Sequence, residues 1–119
     1  MNDRTIVIAE IGNNHNGCLD RAERLIEVAA GAGADYAKFQ LRNLKELYSD
    51  HPEQALDLGA EYVIDLLDKY DLSFEHHEEL IKLCKKHNIE YLCTPWDQSA
   101  LEFLASKGLR MIKLASADF

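Results

Sequence analysis

Short apolar runs of strand length alternate along this chain with longer segments in which apolar residues recur every three or four positions. Four segments have the length and the β-branched or aromatic content of strands, at residues 5–9, 35–40, 89–93 and 110–114. The longer segments have helical periodicity, and polar or glycine-containing turns separate the two kinds. Such an alternation of strands and helices is typical of an α/β protein with a parallel sheet.

Capping residues indicate where the helices begin. A first helix is predicted from about residue 20 to residue 31, where glycines end it. A second follows Ser73, whose hydroxyl can accept a hydrogen bond from a free backbone amide. A third begins at Asp97 or Ser99. Two further segments are predicted between the second strand and Ser73: a long loop at 41–59 and a short helix at 61–69.

The length of the chain limits how much of an α/β barrel it can contain. It has 119 residues, 47% of them hydrophobic, which is enough for one core and one domain. A complete eight-stranded barrel needs about 250 residues. Four predicted strands therefore correspond to the opening half of a (β/α)8 TIM barrel, and residues 1–119 are expected to form a partial barrel domain.

The charge balance excludes several classes of partner. There are 13 Lys and Arg residues against 21 Asp and Glu residues, for a formal net charge of -8. Such a surface repels nucleic acid and anionic lipid, so an anionic ligand must be held by a local group of cations. No apolar run approaches the roughly 20 residues of a membrane span, and the N-terminus does not resemble a secretion signal.

The cysteines favour a reducing compartment. Cys18, Cys84 and Cys93 are odd in number and lack CxxC spacing, so we expect reduced thiols in the cytoplasm and no structural zinc site.

Strand periodicity brings polar side chains to one end of the predicted barrel. If Lys38 faces the barrel interior, its neighbours Ala37 and Phe39 face the helices. The same alternation in the other strands turns further polar residues inward near the strand ends, where β/α barrels have their active sites. The four residues placed there are Glu10, Lys38, Thr94 and Lys113.

Two inward lysines need a shared counter-charge. Burying one ammonium group costs several kcal/mol unless an anion pairs with it, and two of them on different strands also repel each other. A phosphate or carboxylate ligand would neutralise both, with hydroxyl donors from Thr94 and Ser116, and Glu10 could then act as a general base. The competing interpretation is structural, with Lys38 paired to Glu10 or Asp118.

The histidines are open to more than one interpretation. His15, within the turn-rich sequence NNHNG, either binds substrate or forms hydrogen bonds inside its own turn. His76 and His77 occur early in the second helix and are predicted to be surface or core residues, not metal ligands.

With these motifs placed, the chain resembles the N-terminal half of the sialic acid synthase family, which includes N-acetylneuraminate, legionaminate and pseudaminate synthases. The resemblance covers essentially the whole chain, in order. Its first and last segments are the specific ones, and all four are IAEIGNNHNG (8–17), AKFQ (37–40), LSFEHHEELIKLCKKHNIEYLCTPWD (72–97) and IKLASADF (112–119).

This resemblance implies a reaction and a set of residue roles. Family members condense phosphoenolpyruvate with an N-acetylated hexose, such as N-acetylmannosamine, to give a nonulosonic (sialic-type) acid and phosphate. Glu10 would be the catalytic carboxylate, and Asp118 falls where many members carry a second acidic residue, often Glu. Phosphoenolpyruvate would be bound by Lys38, Thr94, Lys113 and Ser116.

The resemblance also implies parts that this chain lacks. The family uses a divalent metal, Mn²⁺ or Mg²⁺, whose two histidine ligands lie on later strands, so no metal ligand is expected here. A C-terminal antifreeze-like domain, which closes the site of the partner subunit in a homodimer, is likewise expected to lie outside this chain, and the chain alone is expected to be inactive. Two alternatives stay open: a non-catalytic half-barrel that self-assembles, and another phosphate-binding, aldolase-type barrel.

Overall fold

The computed structural model describes residues 3–44 and 65–118, and these form a parallel sheet with helices on one face. In chain order the elements are β1 (Ile8–Gly12), α1 (Leu19–Gly31), β2 (Tyr36–Leu41), α2 (Phe74–Lys86), β3 (Glu90–Pro95), α3 (Gln98–Ala105) and a final 3₁₀ turn (Ser116–Asp118). Residues 65–70 are also helical. Most of the predicted loop at 41–59 and the first half of the predicted helix at 61–69 lie outside the described residues.

The sheet has the order β1-β2-β3, with both neighbouring pairs parallel. Alternate side chains of β2 and β3 face the helices and form the core, and each is at most 5% exposed: Ala37, Phe39, Leu41, Tyr91 and Cys93. α1 and α2 pack against each other and against this face. The α/β class and the outward placement of Ala37 and Phe39 are therefore confirmed.

The helices begin where capping chemistry predicts. The Ser73 hydroxyl accepts a hydrogen bond from the amide of His76 at 3.2 Å. Asp97, one of two candidates for the start of α3, is its N-cap and accepts from the amide of Ala100 at 2.8 Å. The first helix ends at Gly31, as predicted. No helix in the described part of the chain combines the length and apolar character needed to cross a membrane.

The first strand was predicted three residues too early. β1 begins at Ile8 because its partner β2 begins at Tyr36, and a strand extends only as far as its ladder. Residues 5–7 instead lie beside the turn before β2. There the amide of Val7 donates to the Asp35 carboxylate at 2.8 Å, and the Val7 carbonyl accepts from the Asp35 amide at 2.8 Å.

The fourth predicted strand, at 110–114, is not a strand among the described residues. The segment runs beside β3, but one backbone bond joins them, from the amide of Lys113 to the carbonyl of Cys93 at 3.0 Å. A β-ladder needs repeated bonds of this kind. Met111, Ile112 and Leu114 are correspondingly exposed, at 36–55%. The described residues thus form three strands where four were predicted.

Phe39 lies at the centre of a buried cluster of rings beneath the sheet. Its ring stacks on Tyr91 with centroids 5.6 Å apart and meets the His77 ring edge-on at 6.2 Å. His15 stacks on it from the other side at 6.4 Å. His77 Nδ1 and the Tyr91 hydroxyl form a hydrogen bond of 2.7 Å. His77 is therefore a core residue, which is one of the two locations predicted for it.

Acid is expected to destabilise this core through His77. Burial lowers the pKa of His77 to about 3, with smaller contributions from the nearby His15 and His76, against an ordinary value of 6.5. The unfolded chain therefore takes up this proton first, so the stabilisation is complete above pH 6.5 and is lost as pH falls toward 3. The free energy of unfolding should decrease in that window by up to about 1.4 kcal/mol per pH unit.

Urea denaturation between about pH 4 and pH 7 measures this dependence. His77→Leu should be less stable at neutral pH, because it leaves the Tyr91 hydroxyl without its partner, yet its stability should vary less with pH. Some dependence should persist through His15, whose pKa burial also lowers. Equal pH slopes in the parent and His77→Leu would contradict the assignment.

Candidate functional site

A buried lysine and a half-exposed glutamate form an ion pair on the face of the sheet opposite the helices. Glu10 of β1 and Lys38 of β2 are register partners, and Lys38 Nζ lies 2.8 Å from Glu10 Oε2. Lys38 is 5% exposed, whereas the Glu10 side chain is 55% exposed. The lysine is thus fixed inside the sheet while its partner carboxylate is open to solvent. This pairing is the one that the structural interpretation of Lys38 predicted, and the accessible member of the pair is the carboxylate.

Two more polar residues extend this face toward the carboxyl ends of the strands. Gln40 of β2 is the register partner of Thr94 of β3, and both share the face of Lys38 by strand alternation. Thr94 is 2% exposed, and its hydroxyl oxygen has no hydrogen-bond partner among the described residues. We call Glu10, Lys38, Gln40 and Thr94 the strand-end cluster. It combines an ammonium group, an amide and a buried hydroxyl with one carboxylate.

Gly12 allows the two side chains nearest to it to converge. The register between β1 and β2 shifts between Glu10 and Gly12, and Gly12 has a φ of +54°, which L side chains rarely adopt. A Cβ at this position would lie 3.2 Å from Glu10 Oε1 and 3.7 Å from Gln40 Nε2. The glycine therefore supplies both the backbone turn and the space into which these polar groups point.

The sequence-based interpretation missed Arg42 and Trp96. Arg42 follows β2, is 9% exposed, donates to Gln40 Oε1 at 2.7 Å and places its guanidinium 5.3 Å from the centre of the Trp96 ring. Trp96 is adjacent because its amide continues the ladder, donating to the Leu41 carbonyl at 3.0 Å. Burial raises the pKa of Asp71 to about 6, and the positive charge of Arg42 partly opposes that rise. The sequence signal that could have identified Arg42 is a basic residue directly after a predicted strand.

Three residues that were predicted to belong to the site, Lys113, Ser116 and Asp118, do not lie in the strand-end cluster. Lys113 is exposed, and its Nζ donates to the backbone carbonyl of Leu114 at 2.9 Å. Ser116 and Asp118 lie on the final 3₁₀ turn and are exposed as well. Lys113 belongs to the segment that does not form the predicted fourth strand, and Ser116 and Asp118 follow it, so no ladder holds their register against β3. Glu10, Lys38 and Thr94 are brought to one face, while Lys113, Ser116 and Asp118 are placed separately.

His15 has the structural role that was one of its two predicted alternatives. Its Nδ1 accepts a hydrogen bond from the amide of Gly17 at 3.0 Å, and the side chain is 1% exposed. His76 is exposed on α2. Among residues 3–44 and 65–118, no group of three or more His, Cys, Asp or Glu side chains could hold a metal ion. The described residues therefore do not fit the divalent metal that the resemblance implies.

A cavity of about 620 Å³ opens at the opposite end of the sheet. It is lined by residues at or before the amino-terminal ends of the strands, among them Arg4, Asp35 and Glu90, together with Arg110. In α/β sheets of parallel strands, ligands bind at the carboxyl ends. The position of this cavity therefore counts against it as the candidate site, whatever its volume, and the strand-end cluster is preferred.

Comparison with known proteins gives one consistent result. The NeuB family matches residues 25–119. The N,N'-diacetyllegionaminic acid synthase of Campylobacter jejuni is 38% identical over 97% of this chain and 36% of its own length. The N-acetylneuraminate-9-phosphate synthase of Drosophila melanogaster is 31% identical over 98% of this chain and 32% of its own. This chain thus spans about a third of the length of these curated relatives.

A solved structure agrees with the sequence comparisons. The N-acetylneuraminic acid synthetase of Leptospira borgpetersenii, crystallised in complex with citrate, superimposes with a TM-score of 0.80 at 32% identity. The match covers 98% of this chain and 38% of that chain. The three-stranded arrangement therefore corresponds to part of a TIM-barrel-like structure.

Proposed function

Because this chain belongs to the NeuB family of sialic acid synthases, we propose that it forms the phosphoenolpyruvate-binding part of a nonulosonic acid synthase. The reaction proposed is the condensation of phosphoenolpyruvate with an N-acetylated hexose of the N-acetylmannosamine type, which releases phosphate. The observation that carries the proposal is the buried ammonium group of Lys38, which lies in the strand-end cluster with an accessible carboxylate and with a hydroxyl that has no hydrogen-bond partner among the described residues.

The strand-end cluster supports binding of a multiply charged anion. Phosphoenolpyruvate carries a phosphate and a carboxylate, and the Lys38 ammonium group offers the charge-assisted hydrogen bonds that both prefer. The Thr94 hydroxyl would donate to an oxygen of the same ligand, which would remove the cost of about 1–3 kcal/mol of leaving it unpaired. Citrate, the ligand in the Leptospira structure, is also a multiply charged anion.

In the proposed chemistry, C3 of phosphoenolpyruvate forms a bond to the aldehyde carbon of the sugar. The aldehyde oxygen takes up a proton, and C2 is left with a positive charge. Water then adds to C2 and loses a proton, and the C2–O bond to the phosphate breaks to give the keto acid and inorganic phosphate. Lys38 would hold the phosphoenolpyruvate in place, and Glu10 would sit beside the reacting carbons, where its carboxylate can take up or return a proton. A preorganised ammonium group needs little rearrangement as charge shifts onto the departing phosphate.

The remaining roles rest on the resemblance. We propose Lys113 and Ser116 as further phosphoenolpyruvate ligands and Asp118 as a second acidic residue. A divalent metal, Mn²⁺ or Mg²⁺, would polarise the sugar carbonyl as a Lewis acid. The described residues supply no ligand set for it, so its site and the homodimer that the family forms would depend on residues outside the described part.

A coupled phosphate assay tests the proposal on the protein as its own gene encodes it. We expect phosphate release from phosphoenolpyruvate that requires an N-acetylated hexose and Mn²⁺, with a nonulosonic acid as the product by mass spectrometry. Omission of either substrate is the control. Folded protein that releases no phosphate with any N-acetylated hexose, together with a discrete dimer formed by residues 1–119 alone in light scattering, would favour the non-catalytic half-barrel. Exposed apolar residues such as Ile6 and Leu114 make that the second candidate.

A further inference from the structure

Arg42 is a buried cation whose contacts are unusual for its charge. It is 9% exposed, and among the described residues it makes no ion pair within 4 Å with a carboxylate. Its contacts are the Gln40 side-chain oxygen at 2.7 Å and the face of the Trp96 ring at 5.3 Å. The charge of Arg42 also acts on the nearby Asp71, where it opposes the rise in the pKa of that carboxyl. Among the described residues, however, the direct side-chain hydrogen bond of the guanidinium group is the one to Gln40, so a role beyond packing is expected of that contact.

The contact with Gln40 determines which way its amide points. A guanidinium group can only donate hydrogen bonds, so the Gln40 atom that faces it must be the carbonyl oxygen, Oε1. The amino group, Nε2, then points to the other side, toward the space above Gly12 that Glu10 Oε1 also approaches. With the amide reversed, its amino group would face the guanidinium group, so two donors would oppose each other, and Oε1 would point toward the space above Gly12.

We propose that Arg42 is a positioning residue that holds the Gln40 amide with its amino group presented to the strand-end cluster. Trp96 supports the guanidinium from below and keeps it at the end of β2. The cluster then presents hydrogen-bond donors from Lys38, Gln40 and Thr94 around a single carboxylate. This inference rests on the proposed function, because it assumes that the strand-end cluster binds an oxygen-rich anionic substrate.

The consequence is a specific coupling between two residues. Without Arg42 the Gln40 amide can rotate and offer its oxygen to an anionic substrate, which weakens binding. Arg42→Met keeps an unbranched side chain against Trp96 but removes all donors. We expect it to raise KM for phosphoenolpyruvate about tenfold while kcat changes little, because one charge-facing hydrogen bond is lost.

A double-mutant cycle separates positioning from general structural damage. Gln40→Ala alone should raise KM, and Arg42→Met added to it should have almost no further effect on KM, because the group that Arg42 orients is gone. Arg24→Met, a change at an exposed arginine on α1, is the matched control and should leave KM unchanged. If Arg42→Met raised KM equally with and without the Gln40 side chain, the positioning role would be wrong.

Nuclear magnetic resonance tests the orientation without any turnover. In the parent protein, the Gln40 side-chain amino protons should show a nuclear Overhauser contact with the Gly12 α-protons, and Arg42→Met should weaken or abolish it while Arg24→Met retains it. Absence of the contact in the parent would overturn the inference even if Arg42→Met failed to fold. Since this readout needs no substrate, failure of the proposed reaction and failure of the positioning role are distinguishable.

Discussion

Replacing Lys38 with methionine is expected to lower kcat/KM for phosphoenolpyruvate by at least about a hundredfold in the protein as its gene encodes it. Methionine keeps an unbranched side chain in the buried position but removes the ammonium group that faces Glu10. In the proposed complex this ammonium group pairs with the anionic substrate at a buried position, where losing one member of a hydrogen-bonded charge pair costs about 2–5 kcal/mol, and about 1.4 kcal/mol corresponds to a factor of ten. Steady-state kinetics with phosphoenolpyruvate varied at saturating sugar would measure the change.

The loss of kcat/KM should be specific to Lys38 and should not occur when a lysine elsewhere is removed. Lys82→Met removes an ammonium group from a surface pair with Glu79 on α2 and should leave the kinetics unchanged. Lys113→Ala tests the second predicted lysine separately, and the resemblance implies a loss in the same direction. Unaltered phosphoenolpyruvate saturation in Lys38→Met would remove the basis of the proposed function.

Replacing Phe39 with alanine is expected to cost about 3–5 kcal/mol of the free energy of unfolding. Phe39 is completely buried, and its ring contacts those of His15, His77 and Tyr91, so its removal leaves a cavity that four elements would have to close. A domain of this size is stable by about 5–15 kcal/mol, so the variant should be marginally folded. The shift in the urea midpoint, with the slope checked for two-state behaviour, measures the loss.

Phe103→Ala is the matched control, because it removes the same kind of ring from a position that is not fully buried. Phe103 is only partly buried, where it packs against Phe74 at 5.0 Å, and Phe103→Ala should cost clearly less than Phe39→Ala. Equal costs would show that the ring cluster under Phe39 is not the centre of the core.

Lys38 and Phe39 connect these two predictions. They are consecutive residues of β2, and strand alternation places one on the polar face and the other in the core. The ring cluster beneath the sheet therefore holds the backbone from which the lysine projects. Phe39→Ala should reduce activity mainly by lowering the folded fraction, whereas Lys38→Met should reduce it in a folded protein.

Local patterns in the sequence determined the α/β class, the helix caps and the facing of the strands. The period of two in β2 was sufficient to place Lys38 and Phe39 on opposite faces, and hydroxyl and carboxylate caps at Ser73 and Asp97 marked the helix starts. These features follow from interactions within a few residues of the chain, so they can be read without a tertiary structure.

Contacts between distant segments were decided only by the tertiary structure. β1 began at Ile8 because β2 begins at Tyr36, and residues 110–114 did not become a strand because a single bond joins them to β3. Arg42 meets Trp96 because one backbone bond past the end of β3, from the Trp96 amide to the Leu41 carbonyl, brings the two residues together. Where a strand begins or ends, and whether a cation is buried, depends on the segment that packs beside it. The periodicity of one segment contains no information about that neighbouring segment.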